Sequence, residues 1–191
     1  WMEQSCAQHG GNPYPTHGIG PIGQLLGLHR TDRMEYLVSL TSDSKNKVNS
    51  TLIRTVNGVS ILLQLDVTTP RPYSRLQTVC GTKGFIQKYP LPTIQLDGED
   101  EPTVGDNALR KAENYFNSPT AQLWQKGHEL GVPNEMNFTM DSRLIYCLQN
   151  GLPLDIDVYD AAEWSCLAEL SRQSAQSGSI PVRIPDFTRG R

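Results

Sequence analysis

At 191 residues, with 37% hydrophobic and 19% charged side chains, the chain has the length and composition of one soluble globular domain. This excludes a disordered or membrane-embedded protein. A net charge of −3 and a pI near 5.8 leave no electrostatic footprint for nucleic acid or an anionic membrane, and no stretch approaches the ~18–20 apolar residues of a membrane span.

Trp1-Met2-Glu3-Gln4 lacks a basic n-region, an apolar core and a cleavage site, so it reads as an internal cut through a longer protein. The first thirty residues are rich in Gly and Pro, which predicts a compact binding loop opening into a short helix. Pro21 is expected at the first helical position, with Ile22, Leu25 and Leu26 on the buried stripe. From Met34 to Tyr89 the apolar period changes to two. Strands are expected near 34–40, 51–57, 59–68, 75–81 and 84–89, with hairpin turns at Asn57-Gly58 and at Gly81-Thr82-Lys83-Gly84. In the longest strand Val59, Ile61, Leu63, Leu65 and Val67 share one face. A one-residue slip would expose all five, so the register is fixed.

Leu91 to Gly105 is acidic and contains Pro, and is expected to be a surface connection. Helices are predicted over 119–130, behind a Ser118-Pro119 start, over 139–150 and over 157–177. The last is expected to bury Tyr159, Ala162, Cys166, Leu167 and Leu170. A short strand, Val182 to Ile184, leads to the tail Pro185-Asp186-Phe187-Thr188-Arg189-Gly190. Strands followed by helices argue for an α+β fold, with an open, mostly antiparallel sheet and helices packed on one side. The whole of 1–191 is expected to form one domain: a substrate loop and short helix over 1–33, a sheet core over 34–90, and helices with a final strand over 105–191.

Gly18-Ile19-Gly20-Pro21-Ile22-Gly23 matches the dinucleotide fingerprint GxGxxG, with Asp43 twenty residues beyond. That fingerprint must follow a buried strand, and Asn12-Pro13-Tyr14-Pro15 precedes it here; two prolines cannot sit in a central ladder. The run is therefore read as a tight turn that packs a helix on the sheet, and no cofactor-binding residue is assigned. The four cysteines, Cys6, Cys80, Cys147 and Cys166, have no CxxC spacing and read as separate thiols. His9, His29 and His128 show no metal-ligand spacing, and no metal ligand is assigned.

The chemistry-bearing stretch is Asn12-Pro13-Tyr14-Pro15-Thr16-His17-Gly18. It puts a phenol, a hydroxyl and an imidazole within four residues on a loop stiffened by two prolines. Just ahead of a helix start, the dipole would favour the neutral, proton-accepting form of His17. An ordinary turn with a packed tyrosine fits the spacing as well. Thr69-Pro70-Arg71-Pro72-Tyr73-Ser74-Arg75 is a second candidate rim, equally readable as a plain strand exit.

Several blocks carry a family resemblance. Gly11 to Pro21, His29-Arg30-Thr31-Asp32-Arg33-Met34-Glu35-Tyr36-Leu37-Val38-Ser39, Pro70 to Arg75, Gly81 to Gly84, Asn150 to Asp155 and Val158 to Trp164 resemble the C-terminal part of glycoside hydrolase family 109. That family belongs to the Gfo/Idh/MocA oxidoreductase-like superfamily, and the similarity covers nearly the whole chain.

The resemblance implies an NAD-dependent glycosidase acting on N-acetylhexosamine glycosides, typically α-N-acetylgalactosaminides. Transient oxidation at C3 would be followed by elimination and water addition, outside the two-carboxylate scheme. It implies substrate contacts at Tyr14, Pro15, Thr16, His17 and Tyr73, with His17 and Tyr14 as the catalytic candidates. It also implies a Gfo/Idh/MocA-type C-terminal domain whose Rossmann half, the holder of NAD, lies before Trp1, and a homo-oligomer formed through the sheet. A bacterial periplasmic or secreted setting is the expectation for the full-length protein. Two departures from the family pattern stand out: Met2 occupies a position where relatives carry a substrate-contacting arginine, and the loop between Leu40 and Thr51 is short. The remaining alternatives are a sugar dehydrogenase of the same superfamily and a non-catalytic carbohydrate-binding or assembly domain.

Overall fold

The computed structural model describes residues 1–42, 47–113 and 118–188. Asp43, the acid set against the glycine run, and the Arg189-Gly190 end of the tail lie outside them. In chain order the elements are α1 (Met2–His9), α2 (Thr16–Leu26), β1 (Met34–Thr41), β2 (Asn49–Thr55), β3 (Ser60–Leu65), β4 (Thr78–Gly81) and β5 (Gly84–Gln87). They continue with β6 (Thr93–Leu96), β7 (Thr103–Val104), α3 (Asp106–Glu113), α4 (Pro119–Glu129), α5 (Glu135–Asn150), α6 (Val158–Gln176) and β8 (Val182–Arg183).

The α+β class stands, with a correction to the sheet. The single sheet expected over 34–90 is two four-stranded antiparallel sheets, ordered β3-β2-β1-β8 and β4-β5-β6-β7. They belong to two compact units: Trp1–Pro72 with Ile156–Arg191, and Tyr73–Asp155.

In the first unit the β2–β3 hairpin forms where Asn-Gly predicts it, with Arg54 opposite Ser60. The turn differs. Only Gly58 takes a positive φ, of 89°, and Thr55 N–H donates to the Val59 carbonyl, so a three-residue loop replaces the two-residue one. Asn57 is drawn elsewhere: its N–H donates to Asp32 Oδ1 and its amide to the Thr31 carbonyl. β3 stops at Leu65, short of the expected Thr68, because Asp66 Oδ1 takes the N–H groups of Thr68 and Thr69 in an Asx turn. Ile61 and Leu63 are buried as expected, whereas Val59 is exposed.

The inner face of this sheet joins Ile19, Leu28, Met34, Leu37, Ile53, Trp164, Leu167 and Ile184 in one core. Towards the Ser39 end the face turns polar. Ser39, Asn49 and Thr51 are buried and bonded to one another, so every hydroxyl and amide there has a partner. α6 matches that polarity, with Ser174 Oγ accepting the Ser39 N–H. Its fully buried residues are therefore Asp160, Glu163, Trp164, Leu167, Ser171 and Ser174. Of the apolar stripe expected, Leu167 is buried and Cys166 and Leu170 pack against the core; the polar members are the correction. The outer face carries Val38, Leu52 and Leu62 directly opposite one another across three strands, with Tyr36 and Leu40 beside them; of these Tyr36, Leu40, Leu52 and Leu62 are exposed.

In the second unit the β4–β5 hairpin turns through Thr82-Lys83, with Gly81 opposite Gly84. The expected surface connection over 91–105 contains β6 and β7, because Thr93-Ile94-Gln95-Leu96 alternates between Pro92 and the Asp97-Gly98 turn. α4 begins at its Ser118 cap. α5 begins four residues earlier than expected because Asn134 caps it by accepting the Asn137 N–H.

Candidate active-site loop

α6 holds the candidate loop at three heights. Near its C-terminal end Ser171 Oγ accepts the N–H of buried Asn12 at 2.9 Å. A Cβ on Gly11 would stand 2.4 Å from the Arg172 backbone nitrogen, so only glycine allows that approach. Midway, Trp164 lies against Gly20 and Gly23 of α2. At its start Asp160 receives the Arg30 guanidinium through two hydrogen bonds of 3.0 and 2.8 Å.

Between these anchors the loop turns on Asn12, whose Oδ1 accepts the Tyr14 N–H at 3.0 Å. Pro15 follows, and its carbonyl accepts the N–H groups of Gly18 and Ile19. The helix thus opens at Thr16, a correction to the expected start at Pro21. Pro21 lies inside α2, where its missing N–H releases the His17 carbonyl from the helical ladder. Leu25, expected on the buried stripe, is exposed; Ile19, Gly20 and Gly23 are the buried residues of α2. Gly18 to Gly23 is helix rather than the expected tight turn, and its glycines admit Leu63 and Trp164.

Tyr14 and His17 are brought together. Their rings stack with centroids 4.5 Å apart and 26° between planes, and the Tyr14 hydroxyl is 3.1 Å from His17 Nε2. An end-on hydrogen bond in the imidazole plane would hold the ring centres much farther apart. The phenol therefore approaches across the ring face of an exposed histidine. Trp1 adds an edge-to-face contact to Tyr14, with centroids 6.0 Å apart. Three aromatic rings in sequence, one carrying a hydroxyl and one an imidazole, form a surface suited to the apolar face and hydroxyls of a sugar. α1, which presents Trp1, was not legible: Met2 to His9 lacks a capping side chain and has a single buried residue, Cys6.

Thr16 and Pro15 complete the block at the start of α2. Tyr73 belongs to the second unit, where it is 71% exposed, accepts from Arg75 Nε and meets Tyr89 edge to face.

Sequence spacing also missed a buried polar cluster. His29, in the turn after α2, brings Nε2 to 3.2 Å from Asp157 Oδ1 and 3.2 Å from Asp160 Oδ1. Asp157 and Asp160 form the capping box of α6; the Asp-x-x-Asp spacing at a helix start was the available signal. Desolvation, the largest influence on Asp160, opposes its ionisation, yet the hydrogen bonds from Arg30 and the Asp157 N–H, with the His29 ring close by, prevail and hold its carboxyl below the usual range. Burial pushes the Glu163 carboxyl up, although it accepts the Met34 N–H at 2.8 Å.

Residues 1–49 and 44–191 match the family described as glycosyl hydrolase 109, C-terminal domain. An alpha-N-acetylgalactosaminidase of Bacteroides fragilis is 52% identical over all of this chain and 50% of its own length. A glycosyl hydrolase family 109 protein of Phocaeicola vulgatus is 53% identical over 52% of its length, and one from Bacteroides thetaiotaomicron 40% identical over 48%. The chain thus spans about half the length of these relatives. Among the described residues no helix is long and apolar enough to cross a membrane. On the match over its full length, the chain belongs to the glycosyl hydrolase 109 C-terminal domain family.

Proposed function

We propose that this chain is the substrate-holding half of a glycosidase that releases terminal α-linked N-acetylgalactosamine, with the sugar seated on Trp1, Tyr14 and His17. The observation that carries the reading is the stacked Tyr14–His17 pair, held on a loop anchored to α6. The activity named for the Bacteroides fragilis relative supports it. His17 Nε2 is the group that moves a proton at the reacting sugar, and the Tyr14 hydroxyl positions it. Pro15 and Thr16 complete the substrate contacts of this loop; the contact that the family resemblance implies at Tyr73 belongs to the second unit.

The chemistry proposed from the family resemblance is NAD-dependent: transient oxidation at C3, elimination of the aglycone, water addition and reduction. The residues of this chain do not fit the dinucleotide, because Gly18 to Gly23 is helix closed by Leu63 and Trp164 rather than a phosphate-cradling turn. We place NAD on a Rossmann half supplied by the longer protein, in a Gfo/Idh/MocA-type arrangement, and the chain by itself is inactive. The outer face of the first sheet, with Tyr36, Leu40, Leu52 and Leu62 exposed, is the surface through which two copies associate.

The test is a chimaera joining this chain to the remaining half of the Bacteroides fragilis relative, supplied with a chromogenic α-N-acetylgalactosaminide. Release of free N-acetylgalactosamine is expected. Accumulation of an oxidised sugar with the glycosidic bond intact would overturn the hydrolase in favour of a dehydrogenase.

A further inference from the structure

We propose that His29, Asp157 and Asp160 form a binding site for a divalent transition-metal cation of the Zn²⁺ class, pinning the turn between α2 and β1 to the start of α6. One atom of each residue lies within 4.8 Å of the other two. His29 Nε2 is 3.2 Å from both carboxylate oxygens. It is shielded from solvent and makes no aligned hydrogen bond to either, pointing between two acceptors rather than at one. Metal–ligand distances of ~2.0–2.1 Å in a tetrahedral shell put neighbouring donor atoms roughly 3.3 Å apart, close to the two distances of 3.2 Å from His29 Nε2. The side chains of His29 and Asp160 are 8% and 0% exposed and that of Asp157 is 34% exposed, so the set is built into the core with one side open for entry and for a water ligand.

One imidazole nitrogen and two carboxylates suit first-row divalent metals. The charges allow one: two carboxylates against the Arg30 guanidinium leave one net negative charge when the imidazole is neutral. Arg30 is also the built-in competitor. It holds both oxygens of Asp160, and Asp157 Oδ1 already accepts the N–H groups of Tyr159 and Asp160. A cation therefore shares Asp160 Oδ1 with a guanidinium, and weakening that partner should tighten the site.

The experiment titrates the metal-free 191-residue chain with Co²⁺, read by visible absorption, and with Zn²⁺, read by calorimetry and thermal melting. One equivalent is expected to bind and to raise the melting temperature. His29→Gln and Asp157→Ser, the latter retaining an N-cap acceptor, should each weaken binding at least ~10-fold while circular dichroism shows the fold intact. Arg30→Gln should tighten binding several-fold. Absence of stoichiometric binding overturns the proposal. So does equal affinity in His29→Gln and Asp157→Ser, which would mean an adventitious ion only, held elsewhere. An Arg30→Gln chain that binds no more tightly overturns the shared-oxygen geometry.

Discussion

A methyl group placed on Gly23 would stand 2.7 Å from the indole Nε1 of Trp164, a side chain that is itself buried in the core. Gly18, five residues earlier in the same helix, faces instead the terminal Cδ1 of Leu63. Alanine favours a helix interior over glycine by ~1 kcal/mol, but a wedged indole cannot rotate aside as a leucine methyl can. Gly23→Ala should therefore cost a net ~1–3 kcal/mol, while Gly18→Ala stays within ~1 kcal/mol of the parent. Urea unfolding of both variants checks the difference, and equal stabilities would show that Trp164 yields.

In the active chimaera, His17→Ala should lower kcat by ~10²–10⁴-fold with a smaller change in KM. Tyr73→Phe removes a hydroxyl that the family resemblance implies touches the substrate, and should appear mainly as a raised KM, worth roughly 0.5–1.5 kcal/mol. If His17→Ala keeps kcat within a few-fold, the histidine is a structural turn residue and the assignment fails.

Glu163 separates a hydrogen bond from a charge. Burial raises its carboxyl above the ordinary glutamate range, so its contribution to stability is full below that range and declines as pH climbs through the folded-state value. Glu163→Gln keeps an acceptor for the Met34 N–H and drops the buried charge, and should match or exceed the parent's stability at neutral pH. Glu163→Ala leaves that N–H unpaired and should cost about 1–3 kcal/mol. Thermal melts at neutral and mildly acidic pH compare the three, and a destabilised Gln variant would mean that the ionised form is needed.

The thiols should react unequally. Cys80 is exposed, whereas burial, with Glu163 adding to it, pushes Cys166 up to about 12. Alkylation with iodoacetamide under mildly alkaline conditions, mapped by mass spectrometry, should label Cys80 first and Cys166 only on unfolding. Because the folded value is raised, ionisation of Cys166 withdraws stability only as pH rises from the ordinary thiol range towards 12. Rapid labelling of Cys166 in the folded chain would contradict its placement.

Leu62→Lys, on the outer face of the first sheet, should leave the fold intact and convert a self-associating chain to a monomer in sedimentation. A parent that is already monomeric would remove the proposed role of that face.

Sequence patterning recovered the elements whose punctuation is local. Ser118, Asp157, Gly131 and Gly151 bound their helices, and Asn57-Gly58 places a hairpin, because each acts through its own backbone or through neighbours a few residues away. What failed depends on distant partners. The buried face of α6 is polar because it meets Ser39 and the Met34 N–H on the far side of the core, which no hydrophobic period announces. The early start of α2 follows from the carbonyl of Pro15 accepting two N–H groups, not from Pro21. Tyr14 and His17 could be named from the loop itself; their stacking, and the approach of Trp1, needed a helix at Met2–His9 that has almost no apolar stripe.

The bond from Asn12 to Ser171 spans 159 positions, and the unit it closes is interrupted by all of Tyr73–Asp155. During synthesis, then, the Tyr14–His17 loop waits for α6, made only after all of Tyr73–Asp155, before Asn12 can find Ser171 and Arg30 can find Asp160. A ribosome-bound chain halted before residue 156 would carry Trp1, Tyr14 and His17 without the α6 partners of the loop that presents them. Synthesis of α6 is thus a checkpoint for the loop, and termination before it yields a product whose loop lacks its anchors.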